Sequence, residues 1–209
     1  MTRILIVTAV EAERDAVLRG LGPERHRLAD VVAAGVGAAA AAVAGTVFLA
    51  AAGAGGYRLV VSAGIGGAFA GRAEPGDLLR ADRIVAADLG AQTPDGFASI
   101  TDLGFGQPVE CLAAPLAGLP KAVVGDLLTV NTATGTAEQA AELAARYPDA
   151  VGEAMEGYGV ALAAQRFGVP AAELRAVSNL IGPRDRDAWQ IPRALDALAA
   201  AVGALVEEN

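Results

Sequence analysis

The chain has 209 residues, 54% hydrophobic but only 4% aromatic, with a formal net charge of -8 and a sequence pI of about 4.7. This length suits a single domain, residues 1–209, with a core built from Ala, Val and Leu. No basic cluster could neutralise a row of phosphates, which argues against a nucleic-acid partner. Because Cys111 and His26 are each the only residue of their type, a disulfide, a multi-cysteine or His-rich metal site and a Ser-His-Asp triad are not expected.

Apolar runs typical of strands alternate with helical patterns along the chain. The predicted strands are 4–9, 31–34, 59–64, a strand pair within 78–88, 122–130 and 173–182. The predicted helices are 11–22, an Ala-rich segment after Gly37, 134–148 with a Thr/Glu capping signal, 155–168 and 192–209. The alternation predicts an α/β fold with a mixed, mainly parallel central sheet flanked by helices. Residues 91–120, rich in Gly and Pro, form the loosest stretch.

Residues 31–57 contain no charge, and their length would allow a membrane span. The segment is mostly Ala and Gly, however, and Gly35 and Gly37 interrupt it early. This composition favours a strand, a tight turn and a buried helix packed against a sheet. The first apolar run, 4–9, is followed closely by acids and lacks a small-residue cleavage site, so we expect no signal peptide and a cytoplasmic location.

A G-x-G-x-x-A pattern, Gly35 to Ala40, follows a strand and precedes a helix, as in dinucleotide-binding proteins. The ribose-binding acid expected about 20 residues later is missing, because nothing acidic occurs between Asp30 and Glu74. The glycines therefore indicate a tight turn for helix packing. We expect neither a cofactor nor a metal.

Three polar residues and one glycine-rich turn fall where strands end and helices begin, the edge at which α/β sheets bind ligands. Glu13 follows the first strand, Glu156 starts a helix, and Asn179 ends the last strand. SAGIGGAF, residues 62–69, lets the backbone approach a ligand closely. Taken singly, these are also consistent with a solvated acid, a capping acid, a turn-forming Asn and an ordinary turn.

In combination, AVEAE, SAGIGGAF, GDLLTVN, AMEGYGVALAA and LRAVSN have the order and spacing that resembles the purine nucleosidase/phosphorylase superfamily, over nearly the whole chain. The resemblance is strongest to its hydrolytic branch, which includes the methylthioadenosine/S-adenosylhomocysteine nucleosidases. SNLIGPRDRDAWQI resembles the members of that branch that cleave futalosine, a hypoxanthine nucleoside of menaquinone biosynthesis. The resemblance implies a nucleoside phosphorylase-like fold and a homodimer or larger homo-oligomer.

The resemblance also implies roles for individual residues. Glu13 matches the acid that activates the attacking water. Glu156 matches the carboxylate that holds the 2′- and 3′-hydroxyls, and Met155 the methionine beside the ribose. Asn179 stands where the adenine-specific nucleosidases have an aspartate that supplies a proton to the purine. The remaining matches contact the sugar or the base: Ile65, Gly66, Gly67, Leu128 and Thr129.

The amide of Asn179 favours a purine with a 6-oxo group. An aspartic acid at this position could donate to N7 while its other oxygen accepted from a 6-amino group. The Asn179 amide can instead donate to a 6-oxo oxygen or to N7, and its carbonyl can accept from a purine N–H. Hypoxanthine is such a base, although an amide cannot protonate the leaving group as an acid does.

The charged segment after the last strand offers a partner for the 5′ side of the substrate. Futalosine has an aromatic carboxylate there, and Arg184 or Arg186 could bind it bidentately. A surface ion-pair cluster with Asp185 and Asp187 is an equally good interpretation. Trp189 either covers the pocket or anchors the last helix, and we favour the second.

Four other functions compete with futalosine hydrolysis. A methylthioadenosine or S-adenosylhomocysteine nucleosidase is disfavoured by Asn179. Aminodeoxyfutalosine, which keeps the carboxylate side but contains adenine, is the closest competing substrate. A nucleoside phosphorylase needs cations around phosphate, whereas the acidic VEAE segment would repel it. A non-catalytic nucleoside-binding module would not need Glu13, Glu156 and Asn179 together.

Overall fold

In the computed structural model, the described residues are 3–53, 55–105, 110–119 and 121–209. The strands are β1 (Arg3–Thr8), β2 (Ala29–Ala33), β3 (Tyr57–Ala68), β4 (Leu78–Ala86), β5 (Gly90–Thr93), β6 (Gly96–Ser99), β7 (Glu110–Leu112), β8 (Val123–Thr129), β9 (Ala150–Ala154) and β10 (Ala171–Leu180). The helices are α1 (Glu11–Arg25), α2 (Ala38–Ala52), α3 (Ala137–Arg146), α4 (Gly157–Arg166) and α5 (Ile191–Glu208).

The main sheet has the strand order β10-β4-β8-β9-β3-β1-β2, and β7 pairs with β4. Because β10 also pairs with β3, the five strands β3, β10, β4, β8 and β9 close on themselves, and β1 and β2 extend the sheet beyond this ring. A small second sheet consists of the β5–β6 hairpin. The prediction of a mixed sheet flanked by helices is therefore confirmed, but the sheet is partly closed.

The expectation of a mainly parallel sheet was too simple, because antiparallel pairs are interleaved with parallel ones. β1 pairs in parallel with β2 and β3, β3 with β10, and β8 with β4 and β9. β4 is antiparallel to β10 and β7, and β9 is antiparallel to β3. The cause is the connection between β3 and β4, which contains no helix, so that β4 runs opposite to β3.

Helices cover both faces of the extended part of the sheet. β1 is buried on both sides, as expected for a central strand in parallel pairs, with Ile4 and Ile6 facing α1 and α5 and Leu5 and Val7 facing α2 and α4. The charge-free segment 31–57 contains the end of β2, the glycine turn and α2, and α2 lies on α4 so closely that a side chain at Gly45 would contact Ala163. None of the helices in the described part of the chain combines the length and the hydropathy that a membrane-spanning segment needs.

Other predicted boundaries differ from those observed. Residues 78–88 hold one strand, β4, rather than a pair. The stretch 91–120 contains β6, β7 and most of β5, while its positions 106–109 and 120 lie outside the described residues. β9 was not predicted. The capping signal is confirmed, since the Thr136 hydroxyl accepts the backbone N–H of Gln139 at the start of α3.

Candidate active site

A cavity of about 340 Å³ opens where β1, β3, β9 and β10 end. Its walls contain three acids, Glu13, Glu153 and Glu156, and the amide of Asn179. The further lining residues are Ala9, Val10, Val36, Ile65, Gly66, Gly67, Val130, Ala133, Thr134, Ala154, Met155, Ser178, Leu180, Gly182, Pro183, Arg184 and Trp189. The wall is predominantly apolar with a few converging polar groups, as is typical of a small-molecule site.

Glu13 is held by backbone amides from two elements. It lies in the first turn of α1, where an acid complements the helix dipole. One carboxylate oxygen, Oε2, accepts from the N–H groups of Ala9 at 2.9 Å and Val10 at 3.2 Å. The other, Oε1, accepts from the N–H of Ile65 at 2.8 Å. The side chain is only 3% exposed, so this carboxylate has a fixed position in the cavity wall.

Glu156 is positioned by a backbone amide and a buried cation. Its Oε1 accepts from the N–H of Gly37, in the glycine turn before α2, at 3.1 Å. Its Oε2 lies 3.3 Å from Nη1 of Arg175. The glycine pattern that resembles a dinucleotide-binding turn thus orients a carboxylate of this site.

Arg175 lies at the centre of a buried charge cluster beneath the cavity, which we call the Arg175 cluster: Glu13, Ser62, Glu156, Glu173 and Arg175. The guanidinium donates to Glu173 Oε1 at 2.8 Å and to the Ser62 hydroxyl at 2.7 Å. Burial acts to lower the pKa of Arg175, but the carboxylates of Glu173, Glu156 and Glu13 outweigh burial and hold that pKa above its ordinary value. Burial raises the pKa of Glu173, against the effect of Arg175.

The cluster depends on a close backbone approach at Gly64 of β3. A Cβ at this position would lie 2.5 Å from Glu13 Oε1 and 2.7 Å from Arg175 Nη1. Only glycine therefore lets the carboxylate and the guanidinium lie beside the same strand.

Asn179 points into the cavity because β10 contains a bulge. Val177 pairs with Gly66 and Asn179 with Gly67, so Ser178 is the extra residue. Such bulges re-aim side chains next to active sites. The Ser178 hydroxyl lies 2.7 Å from Asn179 Oδ1, and Asn179 Nδ2 donates to the carbonyl of Leu180 at 3.0 Å. Because a carbonyl oxygen only accepts, the Leu180 contact identifies the donor end of the amide, and it leaves the second N–H of that end for a ligand.

The structure brings together most, but not all, of the residues predicted from the sequence. Met155, Ile65, Gly66, Gly67 and Arg184 line the cavity along with Glu13, Glu156 and Asn179. The remaining three, Leu128, Thr129 and Arg186, do not.

Leu128 and Thr129 lie behind the cavity wall. Leu128 is fully buried in the hydrophobic core, and the Thr129 hydroxyl accepts the N–H of Tyr158. The next residue, Val130, lines the cavity instead, because β8 ends at Thr129 and the chain turns towards the site. Arg186 lies in an exposed short helix outside the cavity, whereas the Arg184 guanidinium lies 5.7 Å from the ring centre of Trp189.

Four polar residues of the site were missed. Arg175 and Glu173 had a usable signal, because charges two residues apart in an otherwise apolar strand share one face and must be paired there when the strand is buried. Glu153 and Thr134 had no such signal, because Glu153 lies in the unpredicted β9 and Thr134 was assigned to a helix that begins at Ala137.

Comparison with known proteins agrees with this geometry. Residues 28–208 match the family model described as Phosphorylase superfamily. A futalosine hydrolase from Streptomyces coelicolor is 52% identical over 221 residues, covering 97% of this chain and 94% of the relative. The chain therefore belongs to the phosphorylase superfamily and, within it, to the futalosine hydrolase family.

Solved structures share the fold at low identity. Futalosine hydrolase of Helicobacter pylori superposes with a TM-score of 0.82 at 20% identity, covering 100% of this chain and 98% of that one. A 5′-methylthioadenosine/S-adenosylhomocysteine nucleosidase from the same organism gives a TM-score of 0.83 at 19% identity, covering 100% and 99%. The nucleoside phosphorylase-like α/β fold predicted from the sequence is thus confirmed.

Proposed function

We propose that this chain is an N-glycosyl hydrolase that cleaves the N-ribosidic bond of futalosine, releasing hypoxanthine and dehypoxanthine futalosine in menaquinone biosynthesis. The observation that supports this most is one cavity that contains Glu13, Glu156 and the oriented amide of Asn179. The 52% identity to a curated futalosine hydrolase supports the same substrate.

Glu13 and Glu156 suit the sugar side of the reaction. Cleavage of an N-ribosidic bond develops positive, oxocarbenium-like charge on the ribose, which nearby carboxylates stabilise. Glu13, fixed by three amide donors, takes the proton of a water that attacks the anomeric carbon. Glu156 accepts hydrogen bonds from the 2′- and 3′-hydroxyls, and Met155 packs beside the ribose.

The amide of Asn179 suits the base side. Its free N–H donates to the 6-oxo oxygen or N7 of hypoxanthine, where negative charge develops as the base departs with the electron pair of the C–N bond. The departing anion then takes a proton from solvent, because the amide cannot supply one. Ile65, Gly66 and Gly67 line the wall beside the sugar and the base. A 6-amino group would present a donor to the same N–H, and a buried donor left without an acceptor is costly.

We also propose that the enzyme acts in the cytoplasm as a homodimer or larger homo-oligomer. Three apolar side chains of the 91–120 stretch are exposed in the single chain, Leu103 by 40%, Phe105 by 69% and Leu112 by 84%, which supports burial by another copy. Analytical ultracentrifugation showing only a monomer at micromolar concentration would contradict this.

The first test is free-base release from futalosine, aminodeoxyfutalosine, methylthioadenosine and inosine, followed by chromatography with and without phosphate. We expect rapid release of hypoxanthine from futalosine, independent of phosphate, because the acids around Glu13 disfavour an anionic nucleophile. Glu13→Gln is the negative control and should be about 10²- to 10⁴-fold slower, whereas the exposed Glu11→Gln should retain activity. Phosphate-dependent release, or adenine release alone, would contradict the proposal.

The second test is Asn179→Asp, which tests how the base is selected. The acid reverses the donor and acceptor pattern towards a 6-amino group. We expect the ratio of kcat/KM for futalosine to that for aminodeoxyfutalosine to fall by about 10- to 100-fold. General damage to the site lowers both kcat/KM values and leaves their ratio unchanged. An unchanged ratio would therefore contradict the role proposed for Asn179.

The third test compares Arg184→Ala with Arg186→Ala. Arg184 lines the cavity and Arg186 does not, so we propose Arg184 as the partner of the substrate carboxylate. Loss of a charge-assisted hydrogen bond should raise KM for futalosine about 10-fold in Arg184→Ala. Inosine, which lacks the carboxylate, should show no such change, and neither should Arg186→Ala. If both variants keep the wild-type KM for futalosine, Arg184 is not the partner of the substrate carboxylate.

A further inference from the structure

Besides Glu13, Glu156 and Asn179, the cavity wall contains the carboxylate of Glu153 on β9. It is only 7% exposed, and nothing in the reaction proposed above uses it. Both of its oxygens are oriented by Thr134, whose backbone N–H donates to Oε1 at 2.9 Å and whose hydroxyl donates to Oε2 at 2.6 Å. A buried acid held in this way needs a reason, because its burial is costly unless its remaining lone pairs find donors.

Glu153 and Asn179 flank the same glycine. Gly67 of β3 pairs with Glu153 on one side and with Asn179 on the other, so the three residues form one row across three adjacent strands. Strands lie about 4.8 Å apart, which puts the two backbones about 10 Å from each other. A Cβ at Gly67 would lie 2.8 Å from Ile181 Cγ1 and 3.3 Å from Asn179 Nδ2, so only glycine fits in this row beside the Asn179 amide.

This row lies away from the sugar end of the cavity. Glu13 contacts β3 at Ile65, two residues before Gly67, which corresponds to about 7 Å along the strand. A nucleoside with its anomeric carbon near Glu13 would therefore extend its base over Gly67, between the amide of Asn179 and the carboxylate of Glu153.

Two of the donors and acceptors of hypoxanthine match this pair. Its 6-oxo oxygen accepts, and the adjacent N1–H donates. The Asn179 amide supplies a donor, and a carboxylate oxygen has lone pairs to spare beyond those taken by Thr134. Adenine has the opposite pattern, because its 6-amino group donates and its N1 accepts. Its 6-amino donor would therefore meet the N–H donor of Asn179, and its N1 lone pair would meet the carboxylate of Glu153.

We infer that Glu153, held by Thr134, accepts the N1–H of the bound base and acts with Asn179 to select 6-oxopurines over 6-aminopurines. The inference rests on the proposed function in that it concerns the same cavity. It adds a second specificity-determining residue, and it makes a prediction about base binding that does not require turnover. Burial raises the pKa of Glu153 and nearby Asp88 adds to the rise, whereas the two Thr134 donors oppose it by stabilising the ionised acceptor.

The experiment measures the Kd of hypoxanthine, adenine and 1-methylhypoxanthine by calorimetry, with wild type, Glu153→Gln and the control Glu138→Gln. Glu138 is an exposed acid on α3 outside the cavity. In wild type, hypoxanthine should bind at least about 10-fold more tightly than either other base. Adenine reverses the pattern of donors and acceptors, and 1-methylhypoxanthine lacks the N1–H donor. In Glu153→Gln, the amide presents an N–H to N1, and the ratio of adenine to hypoxanthine affinity should rise about 10- to 100-fold.

Each outcome has a definite meaning. Equal binding of hypoxanthine and 1-methylhypoxanthine by wild type would overturn the inference without any variant. So would an unchanged adenine-to-hypoxanthine ratio in a folded Glu153→Gln, because a purely structural role affects both bases alike. Should that variant fail to fold, Thr134→Val takes its place, and a loss of discrimination is expected because the carboxylate loses a hydroxyl donor. If wild type discriminates as expected but does not cleave futalosine, the proposed function fails while the inference stands.

Discussion

The site depends on one buried cation, Arg175, surrounded by three carboxylates that would otherwise repel one another. Its side chain is 1% exposed and contacts Glu173, Glu156 and Ser62, with Glu13 close by across Gly64. A charge removed from water to this extent is stable only when partners replace its hydration. The cluster therefore helps to fix two of the three acids of the cavity, Glu13 and Glu156.

The fold supplies the rest of the geometry through local departures from regular structure. The bulge at Ser178 turns Asn179 inward, and Gly67 lies between β9 and β10 where any side chain would meet Ile181 and Asn179. The partial closure of the sheet is what makes this row possible, because β3 pairs in parallel with β10 and antiparallel with β9.

The sequence predicted the helices and most strands well, because long apolar periodicities and caps such as Thr136 are local signals. It predicted Glu13, Glu156 and Asn179 through their motifs, and the structure lines one cavity with all three. The partner of β9 and the closure of the sheet depend on contacts distant in the chain. For the same reason Glu153 was missed: its place opposite Gly67 is a matter of strand register, which no local pattern reports. Likewise, Leu128 and Thr129 are buried because they still belong to β8, and the position at which this strand ends was not predicted exactly.

The central claim, that the buried charge of Arg175 holds the site together, is tested most directly by urea unfolding of Arg175→Met at about pH 5 and about pH 8. Removing one member of a buried pair should lower the free energy of unfolding by about 3–5 kcal/mol near neutral pH. Burial raises the pKa of Glu173, and loss of the cation removes the effect that opposes burial. The folded variant then keeps a proton that the unfolded chain releases, so its stability falls as pH rises. The loss in free energy of unfolding relative to wild type should therefore be larger at pH 8.

The exposed pair Arg25–Glu207 provides the control Arg25→Met, expected to change stability by less than about 1 kcal/mol. An Arg175→Met protein as stable as that control at both pH values would contradict the claim.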